Sequence, residues 1–164
     1  MNIMKISPIG KIVNNGNQVR IELEPRYAAG LKGLEGYSHV QVLWWADGCD
    51  NEADRNTLLE KKPYKSGPDE MGVFALHSPE RPNPVAVSNA AIAGVDAYEG
   101  TLDLHYLDAF DGTPVIDLKP YVPGVDRVET PKTPDWCRHW PKSWEESAAF
   151  DWASEFNFQD SPWP

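Results

Sequence analysis

A chain of 164 residues with 41% hydrophobic side chains is long enough for one globular domain with a sizeable core and small for two. Its 25 acidic against 15 basic side chains leave a net charge of −10, which disfavours a simple phosphate-neutralising nucleic-acid binder. Two cysteines exclude a disulfide framework and fit reduced thiols in a cytoplasm, and neither a membrane span nor a signal peptide is expected.

The first half reads as short strands. A strand over residues 3–13 ends at Asn14-Asn15-Gly16-Asn17, a hairpin turn because Asn and Gly tolerate positive φ. Residues 18–24 alternate, with Val19, Ile21 and Leu23 on one face and Arg20, Glu22 and Glu24 on the other. Residues 26–36 are broken by Gly30, Gly33 and Gly36 into a short helical turn or loop. Val40 to Trp45 is β-rich and reads as a central strand. Residues 47–69 are polar and turn-prone, with at most one helical turn over 55–60. Further strands are expected over 72–76 and 85–98, separated by the proline-locked loop from Ser78 to Pro84. Residues 101–108 set Leu102, Leu104 and Tyr106 against Asp103, His105 and Leu107, and a last strand follows the turn Asp111-Gly112-Thr113-Pro114. This spacing predicts a mainly β protein, a small barrel of short antiparallel strands. After Pro123 the character changes: Trp136, Trp140, Trp144, Trp152 and Trp163 fall in this stretch with Pro131, Pro134 and Pro141 among them, and Ser143 precedes Trp144-Glu145-Glu146 as a helix cap. Residues 1–123 are therefore taken as the barrel domain, and 124–164 as a Trp/Pro-rich arm packed on the barrel or on a partner subunit.

Four loops carry residues that strand packing does not demand. They are Asp47-Gly48-Cys49-Asp50, the run from His77 to Pro84, Asp108 with Asp111 to Pro114, and Asp135 to Trp140. In Arg81-Pro82-Asn83-Pro84 the prolines fix the backbone, so a guanidinium and an amide can be presented with little entropy left to lose. That suits gripping a carboxylate or a base edge, and equally a stiff loop with Arg81 paired to an acid. Asp-Gly-Thr-Pro is a common turn composition that could also offer a carboxylate to a nucleoside. Cys49, His77, Cys137 and His139 lack the spacing of a zinc site, so no metal is expected. His39 and His105 sit in strand patterns, and the tryptophans read as packing anchors. Nucleotide-binding and hydrolase fingerprints are absent.

At these loops the chain resembles the TrmO-like (TsaA-like) methyltransferases, short form. The matching stretches are Ile9-Gly10-Lys11-Ile12, the run Gly33-Leu34-Glu35-Gly36-Tyr37-Ser38-His39-Val40, Gly72-Val73-Phe74-Ala75 with Ser78, Arg81-Pro82-Asn83-Pro84, and Asp108 with the run from Asp111 to Tyr121. Together they cover residues 9 to 121 in order. The resemblance implies a homodimer of barrels that binds S-adenosylmethionine and methylates N6 of a threonylcarbamoyl-modified adenosine in a tRNA anticodon loop. Carried over to matching positions, it implies cofactor contacts at Asp47, Gly48, His77, Asp111, Gly112, Thr113 and Pro114, with Val87 along the adenine. Arg81 and Asn83 are then expected to position the acceptor.

The chain also departs from that pattern. Arginine is usual where His77 stands, and a His-Gln-like pair is frequent where Asp47-Gly48 stands. Many members have a long loop after the first strand, where Asn14 to Asn17 makes a tight turn here. Longer members carry a separate C-terminal domain in place of the tryptophan-rich arm. With the charge of −10, these departures keep open a small-molecule or other non-tRNA acceptor, and a non-catalytic S-adenosylmethionine-binding protein.

Overall fold

The computed structural model describes residues 4–157. Six strands close into one antiparallel barrel in the order β1-β2-β7-β6-β3-β8. These are β1 (Gly10–Asn14), β2 (Val19–Leu23), β3 (His39–Trp45), β6 (Val85–Asp96), β7 (Thr101–Leu104) and β8 (Pro114–Pro120). Two further strands, β4 (Leu59–Lys61) and β5 (Glu70–Gly72), pair separately as a small hairpin between β3 and β6.

Alternation decides what points inward. Val40, Val42 and Trp44 of β3 are buried while Gln41, Leu43 and Trp45 are less so, and Val19 and Ile21 are buried on β2. With Ile12, Ala90, Leu102, Leu104 and Val115 they fill the barrel interior. Each fully buried aliphatic side chain here contributes roughly 1.5–3 kcal/mol. The barrel closes where β1 meets β8, with Gly10 opposite Val115 and Lys11 opposite Pro114. At Gly10 a Cβ would stand 2.2 Å from the Glu22 carbonyl oxygen, so only glycine allows β1 and β2 to pair there.

Several expected elements differ in extent. The first strand begins at Gly10 rather than at Ile3, which lies outside the described residues. The strand expected over 72–76 stops at Gly72, and Val73–Ala75 winds into a 3-10 turn, since the Val73 and Leu76 carbonyls turn to a guanidinium instead of a ladder. The strand expected over 101–108 ends at Leu104. The His105 amide still reaches the Ala91 carbonyl, but the alternation then slips, so that Leu107 is buried and Tyr106 exposed. His105 is accordingly an exposed residue beyond the strand. The helical turn of the polar segment comes earlier than expected, as α1 (Glu52–Arg55), because the Asn51 side chain caps it by accepting from the Asp54 amide.

Beyond β8 come α2 (Pro123–Asp126), α3 (Trp144–Ser147) and α4 (Trp152–Glu155). Ser143 caps α3, its Oγ accepting from the Glu146 amide. The aromatic residues of this stretch gather on Tyr64, in the loop between β4 and β5. Its ring stacks on Trp136 at 5.3 Å and on Phe156 at 5.6 Å, and meets Trp140 edge-on at 4.8 Å. Backbone bonds from Lys65 N to Glu155 O and from Asn157 N to Pro63 O clamp the same loop. Trp144 packs instead on His39, at 5.6 Å, where β3 begins. Trp163 lies outside the described residues.

Glu155 ties this cluster together. His139 Nε2 lies 2.8 Å from its Oε1, and Trp140 Nε1 donates to its Oε2 at 3.0 Å. These bonds hold the Glu155 carboxyl below its usual value of 4.5. A depressed carboxylate stabilises the fold above its ordinary pKa and loses that contribution as pH falls through the folded value. Tryptophan emission of the native protein should therefore stay blue-shifted until pH drops below 4.5, whereas Glu155→Gln should show red-shifted emission already at pH 7. A pH titration of fluorescence on both proteins checks this.

Candidate functional site

Register alone brings three of the four chemistry-bearing loops to one end of the barrel. Trp45 pairs with Val85, so the end of β3 lies beside the start of β6. Trp44 pairs with Val115 and Lys11 with Pro114, which adds the start of β8 and the end of β1. The Ala46 amide donates to the Pro84 carbonyl at 2.8 Å, which fastens the turn Asp47–Cys49 to the proline-locked loop. Asp47, Gly48, His77, Asn83, Asp111 and Gly112 are all exposed on these loops, while Thr113 is buried beneath them. The fourth loop, with Asp135 and Cys137, belongs to the aromatic cluster around Tyr64 and stands apart from this rim. Val87 lies two residues into β6, opposite Leu43, on the outer face of the barrel and 54% exposed.

The proline-locked loop divides its two candidate residues. Arg81 Nη2 donates to the carbonyls of Val73 at 2.6 Å and Leu76 at 2.7 Å, and so holds the 3-10 turn next to the loop. Its Nε is buried without a partner among the described residues. Asn83 faces outward; its carbonyl accepts from the Val85 amide, which leaves the side-chain amide to be presented. Ser78 Oγ donates to Glu80 at 2.7 Å and stiffens the segment between His77 and Arg81.

The Asp111–Pro114 turn is stitched to β1. The Gly112 amide donates to the Ile12 carbonyl and the Ile12 amide to the Thr113 carbonyl, both at 2.8 Å. Gly112 adopts φ +84°, a left-handed conformation that favours glycine, and a Cβ placed on it would meet nothing within 4 Å. Asp111 Oδ1 accepts from the Asn14 amide at 2.9 Å. Beside it, burial pushes the Asp108 carboxyl above its ordinary value.

The rim gathers carboxylates, and the Arg81 guanidinium in its proline-locked loop is engaged by two backbone carbonyls. Asp47, Asp108 and Asp111 take part in no ion pair among the described residues, whereas nearby Arg55 is paired with Asp50 at 2.7 Å. The buried Cys49 thiol behind Asp47 is pushed up to about 11, first by burial and then by the Glu80, Asp54 and Asp47 carboxylates. At 5% exposure it packs behind the turn. No group of three or more metal-ligating side chains occurs among the described residues. The donor set suits a ligand with positive charge, and the space at Gly112 leaves the backbone open to approach.

Asn14 is the contributor that sequence reasoning misses. Its place in the Asn-Asn-Gly-Asn turn is legible, but its contacts lie 95 and 97 residues away, at Ala109 and Asp111. No local pattern reports such a distance.

Residues 4–127 match the family described as tRNA-methyltransferase O N-terminal domain. A probable S-adenosyl-L-methionine-binding protein of Archaeoglobus fulgidus is 41% identical over 114 residues, which is 70% of this chain and 29% of that protein. The tRNA (adenine(37)-N6)-methyltransferase of Escherichia coli is 38% identical over 103 residues, 62% of this chain and 43% of the enzyme. The crystal structure of TrmO from Pseudomonas aeruginosa superposes with a TM-score of 0.64 at 28% identity, covering 82% of this chain and 62% of that one. The chain thus spans less than two thirds of the length of these proteins.

Arg81 makes a direct test of the rim's construction. Arg81→Ala leaves two carbonyls without their donor and should destabilise the protein by about 2 kcal/mol. Urea denaturation measures that loss, and hydrogen exchange should rise first at residues 73–76.

Proposed function

The chain belongs to the tRNA-methyltransferase O N-terminal domain family, and on that premise we propose that it binds S-adenosylmethionine at this rim and methylates N6 of a threonylcarbamoyl-modified adenosine in a tRNA anticodon loop. The observation that carries the reading is the convergence of Asp47-Gly48, Asn83 and the Asp111–Pro114 turn at one end of the barrel.

Bound S-adenosylmethionine supplies an electrophilic methyl group on a positively charged sulfur. Everything else falls to the chain's own residues. Asp47, Asp108 and Asp111 supply negative potential matched to that charge and to an amino group. Gly112 and Thr113 present backbone at close range, with Pro114 fixing where β8 begins. Asn83 offers an amide oxygen to the hydrogen of the acceptor nitrogen and so orients that nitrogen; as the N–C bond forms and the C–S bond breaks, the sulfur would leave as a neutral thioether and the acceptor's proton would pass to water or a rim carboxylate. Arg81 serves by holding the 73–76 turn, so that Asn83 and His77 keep their places. Alignment of donor and acceptor is the main rate effect open to such a site.

Val87 contributes an apolar outer wall two residues from the rim. Leu58, Leu59 and Phe74, exposed by 56%, 58% and 83%, offer an apolar surface for a second copy, in keeping with a homodimer. No helix among the described residues is long and apolar enough to cross a membrane. A cytoplasmic site of action accords with a tRNA substrate.

One observation favours a second reading. Net charge is −10, Asp47, Asp108 and Asp111 make no ion pair among the described residues, and the rim's Arg81 is engaged by two backbone carbonyls, so a small non-tRNA acceptor fits the same chemistry. Calorimetry with S-adenosylmethionine should give saturable binding that Asp111→Ala weakens on the order of tenfold. Incubation with tRNA carrying the threonylcarbamoyl group, followed by nucleoside mass spectrometry, should show a mass gain of one CH₂ on that adenosine. Binding without methylation of RNA, but with methyl incorporation into a small-molecule extract, would establish the second reading; binding with neither would leave a sensor.

A further inference from the structure

Asn14 is placed to do more than turn a hairpin. Its backbone amide donates to Asp111 Oδ1 at 2.9 Å, and its side-chain Nδ2 donates to the Ala109 carbonyl at 2.9 Å. Its Oδ1 accepts from the Gly16 amide at 3.0 Å. One residue therefore joins the β1–β2 hairpin to both flanks of the Phe110-Asp111 corner. The Thr113 amide closes the same corner on the Phe110 carbonyl at 3.3 Å.

The neighbouring Asn15 shows what a purely local role looks like. Its Oδ1 accepts from the amides of Asn17 and Gln18, at 3.0 and 2.9 Å, within the hairpin. Both asparagines shape the turn, and Gly16 at φ +84° completes it. Of the two asparagines, Asn14 is the one bonded to the 109–111 segment, through its amide to Asp111 and its Nδ2 to Ala109.

We propose that Asn14 is a positioning residue for the Asp111 carboxylate. The hairpin clamps the corner from the side of β1 and thereby fixes the direction of the second Asp111 oxygen, which accepts no hydrogen bond among the described residues, toward the ligand. The inference rests on the reading that this rim binds S-adenosylmethionine. It adds that a short hairpin, rather than a long loop, sets the geometry of the site. The hydrogen bond to Asp111 Oδ1 comes from backbone, so its direction follows the hairpin's own conformation. The bond to Ala109 comes from the side chain and can be removed alone.

Asn14→Asp is the informative change. It keeps an oxygen for the Gly16 amide, and so the turn, but replaces the donor to Ala109 with an acceptor beside a carbonyl and the Asp111 carboxylate. Asn15→Ala weakens the same hairpin without touching residues 109–111. Three measurements on full-length wild type, Asn14→Asp and Asn15→Ala decide the matter: thermal stability, hydrogen exchange over residues 106–116, and calorimetry with S-adenosylmethionine. Asn14→Asp is expected to speed exchange in 106–116 and to weaken binding on the order of tenfold. Asn15→Ala is expected to lower thermal stability comparably while binding stays within about twofold. Equal binding by wild type and Asn14→Asp, or equal weakening by both variants, would overturn the positioning role and leave the proposed function standing. A wild type that binds no S-adenosylmethionine would overturn both.

Discussion

The seam between β1 and β8 is the constraint on which the molecule depends. It closes the barrel with only two paired positions, Gly10 with Val115 and Lys11 with Pro114, supplemented by the Ile9 amide on the Val115 carbonyl. Just above them, Ile12 exchanges hydrogen bonds with Gly112 and Thr113. Barrel closure and the footing of the Asp111–Pro114 turn are therefore one structure. A closed barrel leaves no free sheet edge, so the backbone groups at this seam have partners in the protein rather than in water. Gly10 makes it possible, because any side chain there would strike the β2 backbone and push β1 away from its place.

A second network supports the rim from outside the barrel. Tyr64 is gripped by Trp136, Trp140 and Phe156, and the loop that carries it joins β4 to β5. β5 runs directly into the Val73–Ala75 turn, whose carbonyls Arg81 holds. Packing at the aromatic cluster is thus mechanically continuous with the loop that presents Asn83. The half-buried aromatic contacts supply the stability here; the surface ion pairs, such as Lys11 with Glu22 and Lys62 with Asp69, add little. Residues beyond 127, outside the family match, thus pack on the loop that leads through β5 to the Val73–Ala75 turn, although none of them reaches the rim among the contacts described.

Much of the architecture is legible in the sequence because it follows from short-range physics. Alternation in Val19-Arg20-Ile21-Glu22-Leu23 marks a half-buried strand, the β-rich run from Val40 to Trp45 a central one, and Asn-Asn-Gly-Asn a turn; these become β2, β3 and the β1–β2 hairpin. Elements of three residues carry no such period. β4 and β5 pair through Leu59 with Gly72 and Glu60 with Met71, a match that no local composition announces. The slip after Leu104 is similar, since burial of Leu107 in place of Tyr106 follows from where the β6–β7 ladder ends. Arg81 shows the same limit at the site: sequence presents a guanidinium in a rigid loop, and only the fold reveals the two carbonyls it serves.

The acidic balance finds its physical place in this arrangement. Arg20 with Asp103, Arg55 with Asp50 and Lys119 with Asp117 engage cations along the barrel wall and beside the rim, so the surplus of acids is left partly where the loops converge. Negative potential at the mouth of a small barrel attracts a cationic ligand and repels a polyanion, and salt weakens both effects. A polynucleotide must then approach with its phosphates held away from Asp47, Asp108 and Asp111, presenting one base to the rim. On the proposed reading, the charge is compatible with a cationic methyl donor; it restricts the orientation from which an RNA acceptor could enter, and it imposes no such restriction on a small one.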